Sequence, residues 1–182
     1  MMMKVYHLIL AFTLAFVSCQ RSSSSSEKIS SSDSTSVPFP SELVDFSPIS
    51  ENPVFTGTGE ATWDQRIRER GYILKEGNIY HMWYTGYPQT EDRTLFLGYA
   101  TSNDGIAWTR YIDNPIFDKS WTEDMMVLKL DGIYNMFAEG RNDIAHRLTS
   151  TDRINWTDHG PLDIRYTDGS PLSEGPYGTP TA

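Results

Sequence analysis

Two stretches of the chain decide the fold, "ILKEGNIYHMWYTG" (Ile73 to Gly86) and "VLKLDGIYNMFAEG" (Val127 to Gly140), and they align without gaps. Each contains a first run of residues, a tight turn with a glycine, and a second run rich in Tyr, Met, Phe or Trp. Two such runs joined by a glycine turn are typical of an antiparallel β-hairpin. The same hairpin is therefore predicted twice.

A second pair of similar stretches follows the hairpins. "FLGYATSNDGIAWT" (Phe96 to Thr109) aligns with "IAHRLTSTDRINWT" (Ile144 to Thr157). Each predicts a third strand, a turn that begins at an Asp, and a short fourth strand opened by Trp108 or Trp156. We expect both tryptophans to pack between neighbouring units, with contact to a ligand as the alternative.

The repeat predicts the fold class. A four-stranded antiparallel unit that recurs about every 50 residues is typical of a β-propeller blade, and no stretch shows a sustained helical apolar period. We therefore predict an all-β partial propeller, with blades at 51–113 and 114–164 and the first strand of a third within 165–182. Propellers close with about four to eight blades, so the chain is interpreted as truncated in its third. A β-sandwich of two duplicated meanders is the alternative.

The first residues of the chain predict export. Lys4 lies in a short basic start, an apolar run interrupted only by Thr13 extends from Leu8 to Val17, and Cys19, the single cysteine, follows closely. This layout predicts a secretory signal at residues 1–18, because such a short run is unlike a membrane-spanning helix. The residues before Cys19 resemble a bacterial lipobox, with Phe16 in place of the usual Leu. A cleaved signal with an incidental cysteine is the alternative.

Composition restricts the partners of the protein. Residues 19–50 are interpreted as a lipidated cysteine and a flexible tether, because ten serines occupy the 18 positions from Gln20 to Val37. The chain has a net charge of −9, and removing Lys4 with the signal leaves 14 basic and 24 acidic residues, or −10. Phosphate binding needs basic residues, so no nucleic-acid partner is expected.

Candidate catalytic residues are expected where the repeated units differ, because residues shared by repeats mostly maintain the scaffold. Ahead of its first strand, each unit has a different acidic segment: Asp64 in "ATWDQRIRERG", Glu123 and Asp124 in "SWTEDMM", and Glu174 in "SEGPYG". First strands line the axis of a propeller, so these carboxylates are expected to converge at one end of it.

The ordered set of motifs resembles a known family. The hairpins, the "TSNDGIAW" turn, the Trp-Asp of the first unit, the Asp before the inner strand of the second and "EGPYGTPT" are similar to the five-bladed propeller glycosidases of glycoside hydrolase family 43. Families 32, 68 and 117 are related to it. The sialidase Asp-box is a poorer match, because it has one more residue between Asp and Trp. The resemblance covers Asn52 to Ala182.

The resemblance implies one catalytic acid in each unit. Asp64 resembles the general base or nucleophile, Asp124 the acid that orients the substrate, and Glu174 the proton donor. Glycosidic cleavage needs one protonated and one ionised carboxyl, in agreement with this division. Structural roles are the alternatives: a turn cap for Asp64, an ion pair with an arginine for Asp124, and a solvent-facing position for Glu174. Glu123 is interpreted as a surface or supporting residue.

Further residues are candidates for substrate contact. Arginines that alternate at strand spacing are expected to bind sugar hydroxyls or a uronate, or to pair with nearby acids. Tryptophans beside the acids are expected to stack on a sugar ring or to pack in the core. "AEGRND" differs from its counterpart "YTGYPQ" in the first unit. The substrate-contact candidates are Trp63, Arg66, Arg68, Arg70, Trp121, Glu139, Arg141, Asp143 and Tyr177.

We hypothesise that the protein is a glycosidase that acts on a polysaccharide or oligosaccharide. The histidines show no metal-ligand spacing, and the sequence has no Gly-rich phosphate loop and no plausible Ser-His-Asp set, so neither a metal nor a cofactor is predicted. A lipid anchor would place the protein at the bacterial outer membrane or cell surface, with the periplasm as the alternative. The rival hypothesis is a surface lipoprotein whose partial propeller binds glycans without catalysis or is inactive.

Metabolic labelling tests the predicted anchor. Palmitate should be incorporated at Cys19, and the Cys19→Ala variant should lose both the label and its membrane association, because no other thiol is present. Ser22→Ala, a change in the adjacent serine tract, should label normally. A Cys19→Ala protein that still partitions wholly with membranes would contradict the lipoprotein interpretation.

Overall fold

The computed structural model describes residue 40 and residues 43–68, 70–91, 93–172, 178 and 180–181. The chain forms two compact units, Met1–Phe46 and Ser47–Ala182, and every described strand lies in the second. The predicted signal peptide and Cys19 lie outside the described residues. Among the residues that are described, no helix has the length and apolar character needed to cross a membrane.

The first sheet is built from five antiparallel strands. They are β1 (Arg66–Ile67), β2 (Tyr72–Glu76), β3 (Ile79–Tyr87), β4 (Phe96–Ser102) and β5 (Trp108–Arg110). β1 and β2 both pair with β3, on the edge that β4 leaves open. They are therefore two pieces of one interrupted inner strand.

The second sheet repeats the same architecture. Its strands are β6 (Glu123–Leu130), β7 (Ile133–Glu139), β8 (Ala145–Ser150) and β9 (Thr157–Pro161), paired antiparallel in chain order. The predicted all-β class and the twofold repeat of a blade-like sheet are confirmed. The fourth strand starts one residue later than predicted, so Trp156 precedes it. Of the predicted first strand of a third blade, residues 178, 180 and 181 are described and are not in a strand.

The turns that join the outer strands are held by the same bonds in both sheets. Asp104 Oδ1 accepts two backbone N–H groups of its turn, both at 2.8 Å, and Asp152 Oδ1 accepts the equivalent pair at 2.9 and 2.8 Å. The indole N–H of Trp108 and of Trp156 then donates to a carbonyl of the turn, at 3.0 and 2.9 Å. These bonds explain why Asp and Trp recur at a fixed spacing.

The sheets stack head to tail, as propeller blades do. Met136 belongs to the core between the sheets, whereas its repeat counterpart Met82 lies in a separate cluster on the outer face of the first sheet. Trp83 is fully buried between the sheets, and its counterpart Phe137 is only half-buried. A sandwich of two sheets related by a twofold axis would bring equivalent faces together. The observed stacking brings non-equivalent faces together.

Trp83 is the centre of the core between the sheets. Its ring centroid lies 5.7 Å from that of Tyr99 in its own sheet, and 6.2 and 6.1 Å from those of Tyr134 and Trp156 in the second. Its indole N–H donates to the carbonyl of Arg153 at 3.1 Å. Aromatic packing and one directional bond therefore fix the second sheet against the first.

A charged cluster closes one edge of this core. Glu76 accepts hydrogen bonds from Lys129 Nζ at 2.6 Å, Tyr134 Oη at 2.5 Å and Arg153 Nε at 2.9 Å. All three donors come from the second sheet and its turns. Burial alone would raise the pKa of Glu76, but these donors outweigh it and lower the pKa to about 2. The cluster therefore connects the two sheets through an ionised carboxylate.

Glu76→Gln should destabilise the protein by about 1 to 3 kcal/mol at pH 7, because it removes charge-assisted bonds between the sheets. The pKa of Glu76 in the folded state is below the ordinary value of 4.5, so its contribution is complete above about pH 4.5 and is lost as the pH falls toward 2. Urea unfolding at pH 7 and pH 3 measures the difference.

The difference in the free energy of unfolding between wild type and Glu76→Gln should therefore be smaller at pH 3 than at pH 7. Glu91→Gln, at an exposed glutamate, is the matched control and should change neither value. A destabilisation that is the same at both pH values would show that Glu76 acts through packing and not through its charge.

Candidate active site

The candidate site begins where both inner strands are interrupted. Arg70, between β1 and β2, has a φ of 67°, and Asp124, in the register shift between Glu123 and Met126, has a φ of 47°. Arg70 and Asp124 are equivalent in the repeat alignment. A positive φ costs a residue other than glycine on the order of 1–3 kcal/mol, and bulges redirect side chains. Both sheets therefore redirect a side chain at the same position.

Two ion pairs connect the sheets at this interruption. Arg70 Nη2 lies 2.8 Å from Asp124 Oδ2, and Arg68 Nε lies 2.7 Å from Glu123 Oε2. Asp124 and Glu123 are both only 4% exposed. The pairing of Arg68 and Arg70 with acids, one of the two expected roles, is therefore what the geometry shows. Arg66, the third arginine of the series, is exposed in β1.

Glu123 is better buried than the sequence indicated. Besides its pair with Arg68, it accepts the indole N–H of Trp121 at 2.6 Å. Its position in β6 is directly opposite Glu139 in β7. Of the two interpretations of Glu123, a surface residue or a supporting residue, its burial rules out the first.

Glu139 is the carboxyl of this region whose charge changes near neutral pH. Burial raises its pKa, and so do a hydrogen bond with Asp143 and the charges of Glu123, Asp124 and Asp143, to about 7. Asp143 ends a single 3₁₀ turn that follows β7. A carboxyl with this pKa can give or take a proton at neutral pH. We call Glu123, Asp124, Glu139 and Asp143 the acid cluster.

The described end of the chain reaches the acid cluster. A Cβ placed on Gly178 would overlap the carboxylate of Glu139, so a larger residue there would displace one of the two segments. Gly178 belongs to the "EGPYGTPT" motif. Glu174 and Tyr177 of the same motif lie outside the described residues, and their roles stay predictions.

Asp64 has a different set of neighbours. It is 2% exposed, and its Oδ1 accepts the hydroxyl of Thr62 at 3.1 Å. Its Oδ2 lies 2.9 Å from Arg110 Nε and 3.2 Å from the hydroxyl of Tyr84, which donates to it. Arg110 also covers the ring of Phe55 at 4.3 Å. Asp64 is thus held by its own loop and by the first sheet.

The two tryptophans predicted to contact substrate have different surroundings. Trp63 stacks on Tyr84 with centroids 5.7 Å apart and lies over two glycines of the first sheet, whose missing side chains make room for it. Trp121 bonds to Glu123 and lies under Arg141, whose guanidinium carbon is 5.0 Å from the ring centre. Trp63 therefore packs on the sheet, whereas Trp121 adjoins the acid cluster.

Sequence reasoning missed Arg110 and His146. Arg110 is 46 residues from its partner Asp64, and no local pattern indicates such a pair. His146 is buried and contacts Asp158, a residue that carries no motif. In the described part of the chain, no group of three or more His, Cys, Asp or Glu side chains is arranged to hold a metal ion.

Comparison with known proteins gives matches at the level of structure. No model of a protein family matches the sequence, and no curated protein does. A glycosyl hydrolase from Bacteroides ovatus matches with a TM-score of 0.57 and 24% identity, over 67% of this chain and 42% of that one. A candidate glycosidase from Bacteroides thetaiotaomicron matches with a TM-score of 0.53 and 22% identity, over 67% and 43% of the two chains.

A candidate glycoside hydrolase from Parabacteroides distasonis matches with a TM-score of 0.50 and 23% identity, over 67% of this chain and 43% of that one. At such identities the similarity shows the fold, which this chain shares with glycoside hydrolases. The chain spans less than half the length of these structures.

The pH dependence of stability tests the environment of Glu139. The folded-state pKa of Glu139 lies above the ordinary 4.5. The stability that its protonated carboxyl contributes is therefore fully present below about pH 4.5 and is lost as the pH rises through 7. Glu139→Gln stays neutral at every pH, so it should be more stable than wild type by about 1 to 2 kcal/mol at pH 8. Urea unfolding at pH 5 and pH 8 gives the two values.

The exposed Glu60 provides the matched control, and Glu60→Gln should follow the wild-type pH dependence. If wild type and Glu139→Gln lose the same stability between pH 5 and pH 8, then Glu139 does not carry a raised pKa.

Proposed function

We propose that this chain is part of an exported glycoside hydrolase that cleaves a polysaccharide or oligosaccharide by carboxylate acid/base catalysis. One observation carries the proposal: in the acid cluster, Glu139 has a pKa of about 7 beside two buried carboxylates paired with arginines. The fold shared with solved glycoside hydrolases supports the same class of reaction.

The chemistry of glycosidic cleavage explains the value of this arrangement. The leaving oxygen needs a proton from one carboxyl, while a second, ionised carboxylate acts on the other side of the sugar ring. Neighbouring negative charges hold a proton on a carboxyl that would otherwise lose it. Burial raises the pKa of Glu139 most, and the hydrogen bond with Asp143 and the charges of Glu123 and Asp124 add to it, so Glu139 keeps part of its proton at neutral pH.

Two residues compete for the role of proton donor. The resemblance to family 43 assigns it to Glu174, and the pKa of Glu139 makes that residue the second candidate. Following the same resemblance, we assign Asp124 to orient the substrate and Asp64 to act as base or nucleophile. Asp64 accepts side-chain hydrogen bonds from Thr62, Tyr84 and Arg110. Only the bond from Thr62 is to Oδ1, so this oxygen keeps a lone pair for the reaction.

We also propose that the protein is a lipoprotein of the outer membrane or cell surface, anchored through Cys19. The apolar run of the signal, the adjacent cysteine and the serine-rich tether support this location. The substrate would then be an extracellular or periplasmic carbohydrate.

Replacing each candidate acid separates their roles. The proton-donor variant, Glu174→Gln or Glu139→Gln, should lose about 10²- to 10⁴-fold in the rate of hydrolysis of unactivated oligosaccharides. It should lose much less with 4-nitrophenyl glycosides, whose leaving group needs little protonation. Asp64→Asn should abolish both activities, because the base or nucleophile is needed whatever group leaves. Rates are measured on neutral plant and algal oligosaccharides and their 4-nitrophenyl analogues.

Glu91→Gln is the control and should keep full activity on both kinds of substrate. If the loss of hydrolysis rate is the same for both kinds of leaving group in Glu174→Gln and in Glu139→Gln, the proposed acid catalysis is wrong. Glycan binding without hydrolysis by the unmodified protein would favour the rival, non-catalytic function.

A further inference from the structure

A cavity of about 200 Å³ lies beside the acid cluster, at one end of the second sheet. The loop before β6 contributes Ser120 and Trp121 to its wall, the turn after β7 contributes Arg141, and β8 and β9 contribute His146 and Asp158. We call it the rim cavity. Trp121 forms part of its wall and also bonds to the acid cluster, so the two sites share a side chain.

His146 is a buried side chain that the fold does not fully satisfy. It is 6% exposed, its Nδ1 lies 3.3 Å from Asp158 Oδ1, and its Nε2 has no hydrogen-bond partner among the described residues. A buried polar atom without a partner destabilises the fold, and such atoms are rare in native proteins. The position of the missing Cβ of Gly140 is 3.8 Å from this nitrogen, and Gly140 also lines the cavity.

Asp158 sets the hydrogen-bonding character of His146. Burial opposes ionisation of Asp158, but the amide of Gly160, the charge of His146 and the hydroxyl of Ser120 outweigh it and lower its pKa. An ionised carboxylate accepts a hydrogen bond, which assigns a proton to His146 Nδ1. Nε2 is then left to bond a hydroxyl group, which can both donate and accept. Ser120 bonds to Asp158 and not to His146, so the three are not arranged as a nucleophilic triad.

The walls of the rim cavity match the surface of a sugar. The ring of Trp121 and the side chains of Ile144 and Pro161 provide apolar surface, which suits the C–H face of a sugar ring. The exposed guanidinium of Arg141 provides donors at the mouth, and His146 provides an unpartnered ring nitrogen. Pockets that combine apolar walls with a few fixed polar groups are typical of small-molecule sites.

The charge of the surroundings selects among sugars. The acid cluster adjoins the cavity through Trp121 and holds four carboxyl groups, with Arg68 and Arg70 as the paired cations. Asp158 adds a carboxyl group to the cavity wall and Arg141 adds a cation at its mouth, so carboxyl groups outnumber arginines five to three. A uronate in the cavity would be repelled by this excess of negative charge. A neutral sugar meets no such penalty.

We propose that the rim cavity binds one neutral sugar unit of an oligosaccharide whose neighbouring unit lies at the acid cluster. His146 Nε2 forms a hydrogen bond with a hydroxyl of that unit, and Arg141 donates to it. This inference rests on the proposed function, because it names the substrate class and a second contact region of the same site.

Calorimetric titration of the full chain tests the subsite without hydrolysis, in an Asp64→Asn background, which should be inactive whichever acid donates the proton. The probes are xylohexaose, arabinohexaose, mannohexaose and cellohexaose, with a hexamer of galacturonic acid as the acidic comparison. At least one neutral probe should bind. His146→Leu should weaken its binding about tenfold, equivalent to about 1.4 kcal/mol. His159→Leu, at an exposed histidine of the same sheet outside the cavity, should leave binding unchanged.

A second variant keeps the inference testable if His146→Leu does not fold. Arg141→Met changes an exposed residue at the mouth of the cavity and should also weaken binding. Unchanged affinity in either folded variant, no binding of any neutral probe, or binding of the acidic probe alone would overturn the inference.

Hydrolysis by the unmodified protein keeps the two proposals separate. Binding that depends on His146, without any hydrolysis, would support the subsite and contradict the enzymatic function. Hydrolysis, combined with an affinity that the changes at His146 and Arg141 leave unaltered, would support the enzymatic function and overturn the subsite.

Discussion

The burial of Trp83 between the two sheets is the interaction on which the rest of the structure depends. Full burial of a large apolar side chain contributes about 1.5–3 kcal/mol, and Trp83 brings Tyr134 and Trp156 of the second sheet into the same core. Its bond to the carbonyl of Arg153 adds direction. Because Arg153 also donates to Glu76, the apolar core and the charged edge fix the same relative position of the two sheets.

The relative position of the two sheets determines which side chains meet at the acid cluster. Arg68 and Arg70 come from the first sheet, and Glu123 and Asp124 from the second, so neither sheet forms the ion pairs alone. A further bond, from Thr85 Oγ1 to the carbonyl of Thr122 at 3.0 Å, ties β3 to the residue just before Glu123. The candidate site is therefore a product of blade stacking, and loss of the core between the sheets would remove it.

Local features of this fold could be predicted from sequence, and long-range partners could not. The hairpins and the Asp-to-Trp turns depend on residues a few positions apart. The repeated runs of strand-forming residues, the turn glycines and the recurring Asp and Trp were therefore sufficient to predict them. Arg68 and Glu123 are 55 residues apart, and the choice between a sugar and an acid as partner for Arg68 depends on how the sheets stack. The same holds for Asp64, whose burial against Arg110 no periodicity indicates.

The exposure of the ion pairs explains how arginines and a protonated carboxyl coexist. The side chain of Arg70 is 55% exposed while that of Asp124 is 1% exposed, and the values for Arg68 and Glu123 are 28% and 5%. Water therefore weakens the field of the cations, whereas the buried carboxylates act on their neighbour with less screening. Glu139 experiences Glu123 and Asp124 as negative charges and not as neutral pairs. The arginines thus pair with the buried acids without removing the negative field that, together with burial, keeps a proton on Glu139.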